Sequence, residues 1–185
     1  MFIQTETTPN PNTLKFLPGQ EVSPERTAFY TSHENAEESP LAQAMFELPD
    51  IRAIFYGADF FTITKKEDAS WDVLKPQILT TLMEHYQSGN PLMVTVTKVE
   101  RVAKEYSEDD QAIIEQIKEL IETRVRPAVA QDGGDIQFHS FENGIVHLEM
   151  HGSCAGCPSS TATLKQGIET MLKHYIPEII AVEPI

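Results

Sequence analysis

The sequence predicts an α+β protein made of two small domains. Three observations carry that reading. Some stretches place apolar residues at helical spacing and others alternate them, and neither pattern dominates. A charged, aperiodic stretch, Lys98 to Asp110, divides the chain near its middle. With 185 residues, 41% of them hydrophobic, two compact cores of ordinary small size fit well. The expected boundaries are residues 1–97 for an α+β domain with a mainly antiparallel sheet, 98–108 for a linker, and 109–185 for a second domain ordered α-β-β-α-β.

In the first domain, Phe2–Glu6 and Thr13–Phe16 read as a hairpin-like pair of strands. Between them Thr8-Pro9-Asn10-Pro11-Asn12 is a turn signal: two prolines fix φ and the asparagines tolerate left-handed backbone. This stretch reads either as a rigid turn or as a docking loop for a partner. Residues 18–38 are polar and mostly loop, with one short strand around Thr27–Tyr30. Ser39 followed by Pro40 predicts a capped short helix to about Glu47. Ile51–Tyr56 and Phe60–Thr64 are β-branched and aromatic runs around Gly57-Ala58-Asp59, a hairpin. Ser70 or Asp68 caps a helix from Trp71 to Tyr86, whose inward positions include Val73, Leu74, Ile78 and Leu82; Pro76 fits it imperfectly. Trp71 reads as a core residue. Leu92–Val96 is expected as a last strand.

In the second domain, Ser107 and Asp110 have capping-box spacing, loosely met, before a helix whose face carries Ile113, Ile114, Ile117, Leu120, Ile121 and Val125. Pro127 is expected just beyond its end. Asp132-Gly133-Gly134-Asp135 is a turn, in which both aspartates are expected to serve the backbone rather than acid–base chemistry. Ile136–Phe141 and Ile145–Met150 flank Asn143-Gly144, a strong hairpin signal. Then come a glycine-rich loop, a helix from Ser159 to His174 and a closing strand within Pro177–Val182.

The formal net charge is −14, and each half of the chain holds 7 basic and 14 acidic side chains. Such a surface repels phosphate backbones and anionic lipid, so neither nucleic acid nor a membrane is an expected partner. No apolar run approaches the roughly 20 residues of a membrane helix. The N-terminus has neither a secretory signal nor an Arg-rich leader, which predicts a bacterial-type cytoplasmic protein rather than an organellar one.

The chemistry centres on Cys154 and Cys157, the only two cysteines, in Gly152-Ser153-Cys154-Ala155-Gly156-Cys157-Pro158-Ser159-Ser160. A Cys-x-x-Cys pair suits a metal or a dithiol, and a reducing compartment disfavours a structural disulfide. The pair falls between a strand and a helix start, where unsatisfied N–H groups and the helix dipole favour thiolate. Small neighbours predict an exposed loop presenting both sulfurs. Two incidental buried cysteines fit such a loop poorly. A thioredoxin-like dithiol oxidoreductase needs more chain than the 28 residues after Cys157. Metal binding is the favoured reading. His139, His147 and His151 are candidate extra ligands but read as surface histidines, and they lack paired zinc-ligand spacing. The simpler solution is symmetric: two copies meet at their cysteine loops and four thiolates close one site, either a cluster or a structural zinc.

Beyond the cysteine block, the second domain carries Ile113 to Leu120, Arg126-Pro127, Asp132-Gly133-Gly134-Asp135, Thr163-Leu164-Lys165-x-Gly167-Ile168-Glu169 and Pro177-Glu178. With these motifs, residues 109–185 resemble the C-terminal domain of NifU, the Nfu-type iron–sulfur scaffold and carrier. Thr8-Pro9-Asn10-Pro11-Asn12-Thr13-Leu14-Lys15-Phe16 makes residues 2–90 look like the N-terminal domain of the same family. The resemblance implies a non-catalytic homodimer that bridges a 4Fe-4S cluster with two Cys-x-x-Cys pairs and hands it to apo iron–sulfur proteins. An upstream assembly scaffold is a further implied partner. Cys154 and Cys157 carry over as the ligands.

Overall fold

The computed structural model describes residues 2–94, 106–156 and 158–185, with 158–160 described by their backbone alone. Its first turn is the double-proline stretch, and the strands on either side of it pair. β1 (Gln4–Thr7) runs antiparallel to β2 (Thr13–Leu17), with Thr7 opposite Leu14. The turn is braced from within and from outside. The Asn12 N–H donates to Asn10 Oδ1 at 3.0 Å, and Asn10 is buried. Lys65 Nζ donates to Asn12 Oδ1 at 3.0 Å, and the Trp71 indole N–H donates to the Pro11 carbonyl at 3.1 Å. These anchors make Thr8–Asn12 a rigid turn.

β3 (Ala28–Tyr30), β4 (Ile51–Tyr56) and β5 (Phe61–Lys65) complete an antiparallel sheet in the order β1-β2-β5-β4-β3. Two helices pack on it, α1 (Pro40–Phe46) and α2 (Trp71–Ser88). Both begin as expected: the Ser39 and Ser70 hydroxyls accept the orphan N–H groups of Ala42 and Asp72. Tyr30, Tyr56 and Phe61 stack edge to face in the core, centroids 5.4 and 5.0 Å apart. Leu41, Met45, Leu74, Ile78 and Leu82 close over them from the helices. Burying each of these large side chains stabilises the fold by about 1.5–3 kcal/mol before the entropy of ordering is set against it.

The expected strand Leu92–Val96 is corrected. Leu92 to Val94 is not a strand, and residues 95 and 96 lie outside the described residues. The segment is instead a strap tied to the start of α1. Ser39 Oγ donates to the Leu92 carbonyl at 2.8 Å, and the Val94 N–H donates to the Glu38 carbonyl at 2.7 Å. The apolar run Leu92–Val94 here meets a helix end, not a sheet edge.

The chain divides into a unit of residues 1–99 and a unit of residues 100–185. Of the expected linker, residues 98–105 lie outside the described residues, whereas Tyr106 packs on the second core and Ser107 caps the next helix. That helix is α3 (Glu108–Leu120). The helical path does not stop before Pro127: it passes through a π-helical turn (Ile121–Val125) into α4 (Arg126–Gln131). Pro127 sits in the first turn of α4, where its fixed φ suits the helix and its missing N–H costs little.

β6 (Gly134–Glu142) and β7 (Ile145–Gly152) form the hairpin expected around Asn143-Gly144. Its register slips between Phe138 and Ser140, and His139 at the slip is exposed. α5 (Pro158–Tyr175) is the crossover that lets β8 (Ala181–Pro184) lie parallel to β7. The closing strand thus starts later than Pro177. Ile114, Ile117, Ile121 and Val125 from the first helical run, with Ile168 and Leu172 from α5, bury Ile136, Val146, Leu148 and Val182 of the sheet.

Candidate metal centre

β6 starts and β7 ends at facing glycines, Gly134 opposite Gly152, and the cysteine loop leaves from that end. The turn before β6 serves as a footing for the loop. The Ser153 N–H donates to the Gly133 carbonyl at 3.1 Å, and Ser153 Oγ donates to the Asp132 carbonyl at 2.6 Å. Gly152 has φ of +63°, a left-handed conformation that lets the chain leave the strand sharply. From the other side, Thr161 Oγ1 in the first turns of α5 donates to the Cys154 carbonyl at 3.3 Å.

Cys154 is not on an exposed loop. It is 5% accessible and belongs to the core of the second unit. Burial pushes its thiol up to about 12, the Asp132 and Asp135 carboxylates add to the rise, and the Ser153 side chain opposes it. Burial thus acts on Cys154 against the acidifying effect expected of the helix start. Cys157 lies outside the described residues.

Asp135 is 3% accessible and does more than serve the turn. Arg126 grips it with two bonds, Nε to Oδ1 at 2.7 Å and Nη2 to Oδ2 at 3.0 Å. Gln137 Nε2 donates to Oδ2 at 3.0 Å. The third arm of the guanidinium, Nη1, reaches both oxygens of Glu122 at 2.6 Å. The Asp135 carboxylate chiefly, and Glu122 with it, raises the guanidinium above its already high ordinary value. An extra residue in a helix turn rotates the downstream residues by about 100° relative to the preceding turns, so the π turn decides where Arg126 points. Asp132 keeps the backbone role expected of it, through its carbonyl. Arg126 as a charge partner was not read from the sequence, because the pairing runs from a helix to a strand across a turn and leaves no periodic mark.

The three histidines do not gather at the loop. His139 Nδ1 is 2.8 Å from Glu149 Oε1, and His151 Nε2 is 3.5 Å from Glu149 Oε2. His147 is half-buried on β7, between the core residues Val146 and Leu148. Among the described residues no group of three or more His, Cys, Asp or Glu side chains is placed to hold a metal ion. The described donor of the loop is the Cys154 sulfur, a soft ligand type backed by close-packed backbone. A Cβ built on Gly134 would fall 2.4 Å from Cys154 Sγ, so the sulfur occupies a recess that only glycine leaves open.

The described residues form two α+β units, and the second seats Cys154 between the end of β7 and the start of α5. Comparison with known proteins gives the class of protein to which they belong. Residues 3–89 match the family model of the Nfu/NifU scaffold protein N-terminal domain, and residues 117–183 match that of the NifU-like domain. The chain is 47% identical, over its whole length and 72% of the other protein, to the human mitochondrial NFU1 iron-sulfur cluster scaffold homolog. It is 48% identical to the mitochondrial NifU-like protein 4 of Arabidopsis thaliana over 99% of this chain and 65% of that protein. It is also 48% identical to the mitochondrial NFU1 homolog of Drosophila ananassae, over 100% of this chain and 64% of that protein. The chain belongs to the Nfu/NifU family of iron–sulfur cluster scaffolds, a family of scaffolds and not of enzymes. It spans about two-thirds of the length of the first relatives it matches, 65% and 64%.

The cytoplasmic expectation is overturned by the same relatives, which match along the chain and are mitochondrial proteins. The physical reason is plain. A targeting leader is read before folding and is no part of the packed units, so the composition of the folded region does not report the compartment.

Proposed function

We propose that this chain carries an iron–sulfur cluster as cargo, held by the thiolates of Cys154 and Cys157 and shared with a second copy. The cargo is read as a 4Fe-4S cluster, delivered to apo iron–sulfur proteins and received from an upstream assembly scaffold. One observation supports the shared site: Ser153 ties the start of the cysteine loop to the turn before β6, and among the described residues no group of three or more His, Cys, Asp or Glu accompanies it. Two sulfurs per chain leave a four-coordinate site half filled, and a two-fold axis through one loop supplies the other half. A cluster held by few ligands at a subunit boundary is open to attack by incoming thiolates, which suits a carrier. The first unit, expected within residues 1–97, has no cysteine. We assign it to recognising partners, with the cluster-binding domain expected from residue 109.

A dithiol oxidoreductase is the weaker reading, since it needs an accessible attacking thiol in the metal-free fold and Cys154 there is 5% accessible. Anaerobic reconstitution with iron and sulfide tests the proposal. Wild-type protein is expected to gain visible absorbance and run as a dimer on size exclusion, whereas Cys154→Ser and Cys157→Ser stay colourless and folded. Zinc without sulfide in the purified dimer would replace the cluster with a structural metal. Wild-type protein that takes up neither iron nor sulfide would end this reading.

A further inference from the structure

Gly134 has no conformational reason to be glycine. Its φ lies outside the left-handed range, unlike that of Gly133 beside it at +80°. The reason is space. An alanine Cβ there would meet Cys154 Sγ at 2.4 Å, and the Cys154 nitrogen and His151 carbonyl oxygen at 3.0 Å. The two backbone atoms sit close enough that each must give by a few tenths of an ångström. The sulfur sits at an impossible distance, and of the three it alone moves by rotating a single bond. Alanine at 134 therefore turns the thiol out of its recess, and presses more mildly on the backbone around it.

We infer that Gly134 is a positioning residue for Cys154: by lacking a side chain it makes the recess in which the sulfur shelters when no cluster is bound. The inference rests on the cluster-carrier reading for its purpose, since a ligating sulfur needs about 2.3 Å clear on its outer side for a metal bond. A sulfur buried with a residue 5% accessible lacks that clearance. Cys154 thus has two stations, one sheltered against Gly134 and one turned outward to ligate. In the sheltered station the thiol is withheld from oxidants and from stray disulfides. Gly134 sets the balance between the two stations.

The test uses the full, reduced, metal-free chain. Iodoacetamide is added anaerobically, samples are quenched over time, and fragment ions of the one peptide that holds both cysteines assign the label to Cys154 or to Cys157. The reference is the synthetic peptide of residues 152–160. Cys154 in the folded protein is expected to react at least about tenfold more slowly than in the peptide, and Gly134→Ala to recover most of that factor. Thermal melts of Gly134→Ala, Cys154→Ala and the double variant complete a cycle. The Gly134→Ala loss is expected to shrink once the sulfur is gone. Should Gly134→Ala fail to fold, adding Cys154→Ala must restore folding. A wild-type Cys154 that reacts as fast as the peptide overturns the inference. So does a Gly134→Ala cost that is the same with and without the sulfur, or a double variant that stays unfolded. Because no cluster is present in any of these measurements, failure of reconstitution would sink the carrier reading and leave this result standing.

Discussion

In the proposed carrier, Cys154 is apolar packing in one state and an anionic ligand in another. In the metal-free fold its thiol sits well above its ordinary value, at about 12, because burial penalises the thiolate. The effect on stability has a definite sign. Below the unfolded value near 9 the thiol is protonated in both states and costs nothing. Between there and 12 the unfolded chain gives up its proton and the folded chain does not, so stability falls as pH rises. Cys154→Ala removes this penalty. The melting-temperature gap between wild type and Cys154→Ala is expected to shift against wild type from about pH 9 upward, and to be flat between about pH 6 and 8. A flat gap across the alkaline range would mean that the thiol is not buried in solution.

The motif and its small neighbours were legible in the sequence because they are contiguous. The shelter was not, because its wall is Gly134, on another strand. The same holds for Asp135, read as a turn residue, whose partner Arg126 lies in a helix. Arg126→Gln takes a two-bonded guanidinium from a nearly buried carboxylate. Such a loss costs about 3–5 kcal/mol for a fully buried pair. Arg126 is 30% accessible, so a cost of about 2 kcal/mol is expected in urea unfolding of the second unit. Adding Asp135→Asn should cost less than the sum of the two singles, since the stranded charge is gone. Additivity would show that the pair does not act as a unit.

Among the elements, the helix starts were the most readable, since capping is local chemistry: Ser39, Ser70 and Ser107 each accept an N–H of the helix they precede. Ends and interruptions were less so. Pro127 looks like a stop, yet a π turn ahead of it resets the helix and the proline becomes a start. Leu92–Val94 is a short apolar run that reads like a strand but is claimed by Ser39 and Glu38. That makes Ser39 a junction of three elements. Its hydroxyl caps α1, lies 2.6 Å from the Tyr56 hydroxyl of β4, and reaches the strap at Leu92. Ser39→Ala removes a cap worth about 1 kcal/mol and leaves buried polar atoms short of a partner at about 1–3 kcal/mol more. A loss of about 2–3 kcal/mol is expected, accompanied by faster amide exchange at Val94. Faster exchange at the α1 start with Val94 unchanged would detach the strap from this junction.

At the scale of the whole chain, each unit owns a complete hydrophobic cluster, the first drawn from residues up to Met93 and the second from Tyr106 onward. The division at residue 99 and the two separately matched family regions fall in with that. Cooperativity follows the packing of a core, so two cores predict two thermodynamic units rather than one. Ser39→Ala perturbs the first core's junction and Arg126→Gln perturbs the footing of the cysteine loop in the second. Hydrogen exchange on the full chain separates the cases. Ser39→Ala should lower protection across β2, β4, β5, α1 and α2 while β6, β7 and α5 keep theirs, and Arg126→Gln should do the reverse. Loss of protection in both units from either substitution would make the chain a single cooperative body. A carrier whose units are independent can engage a partner through one and exchange cargo through the other without unfolding either. A single cooperative body would tie the two events together, and that is the alternative the exchange pattern decides.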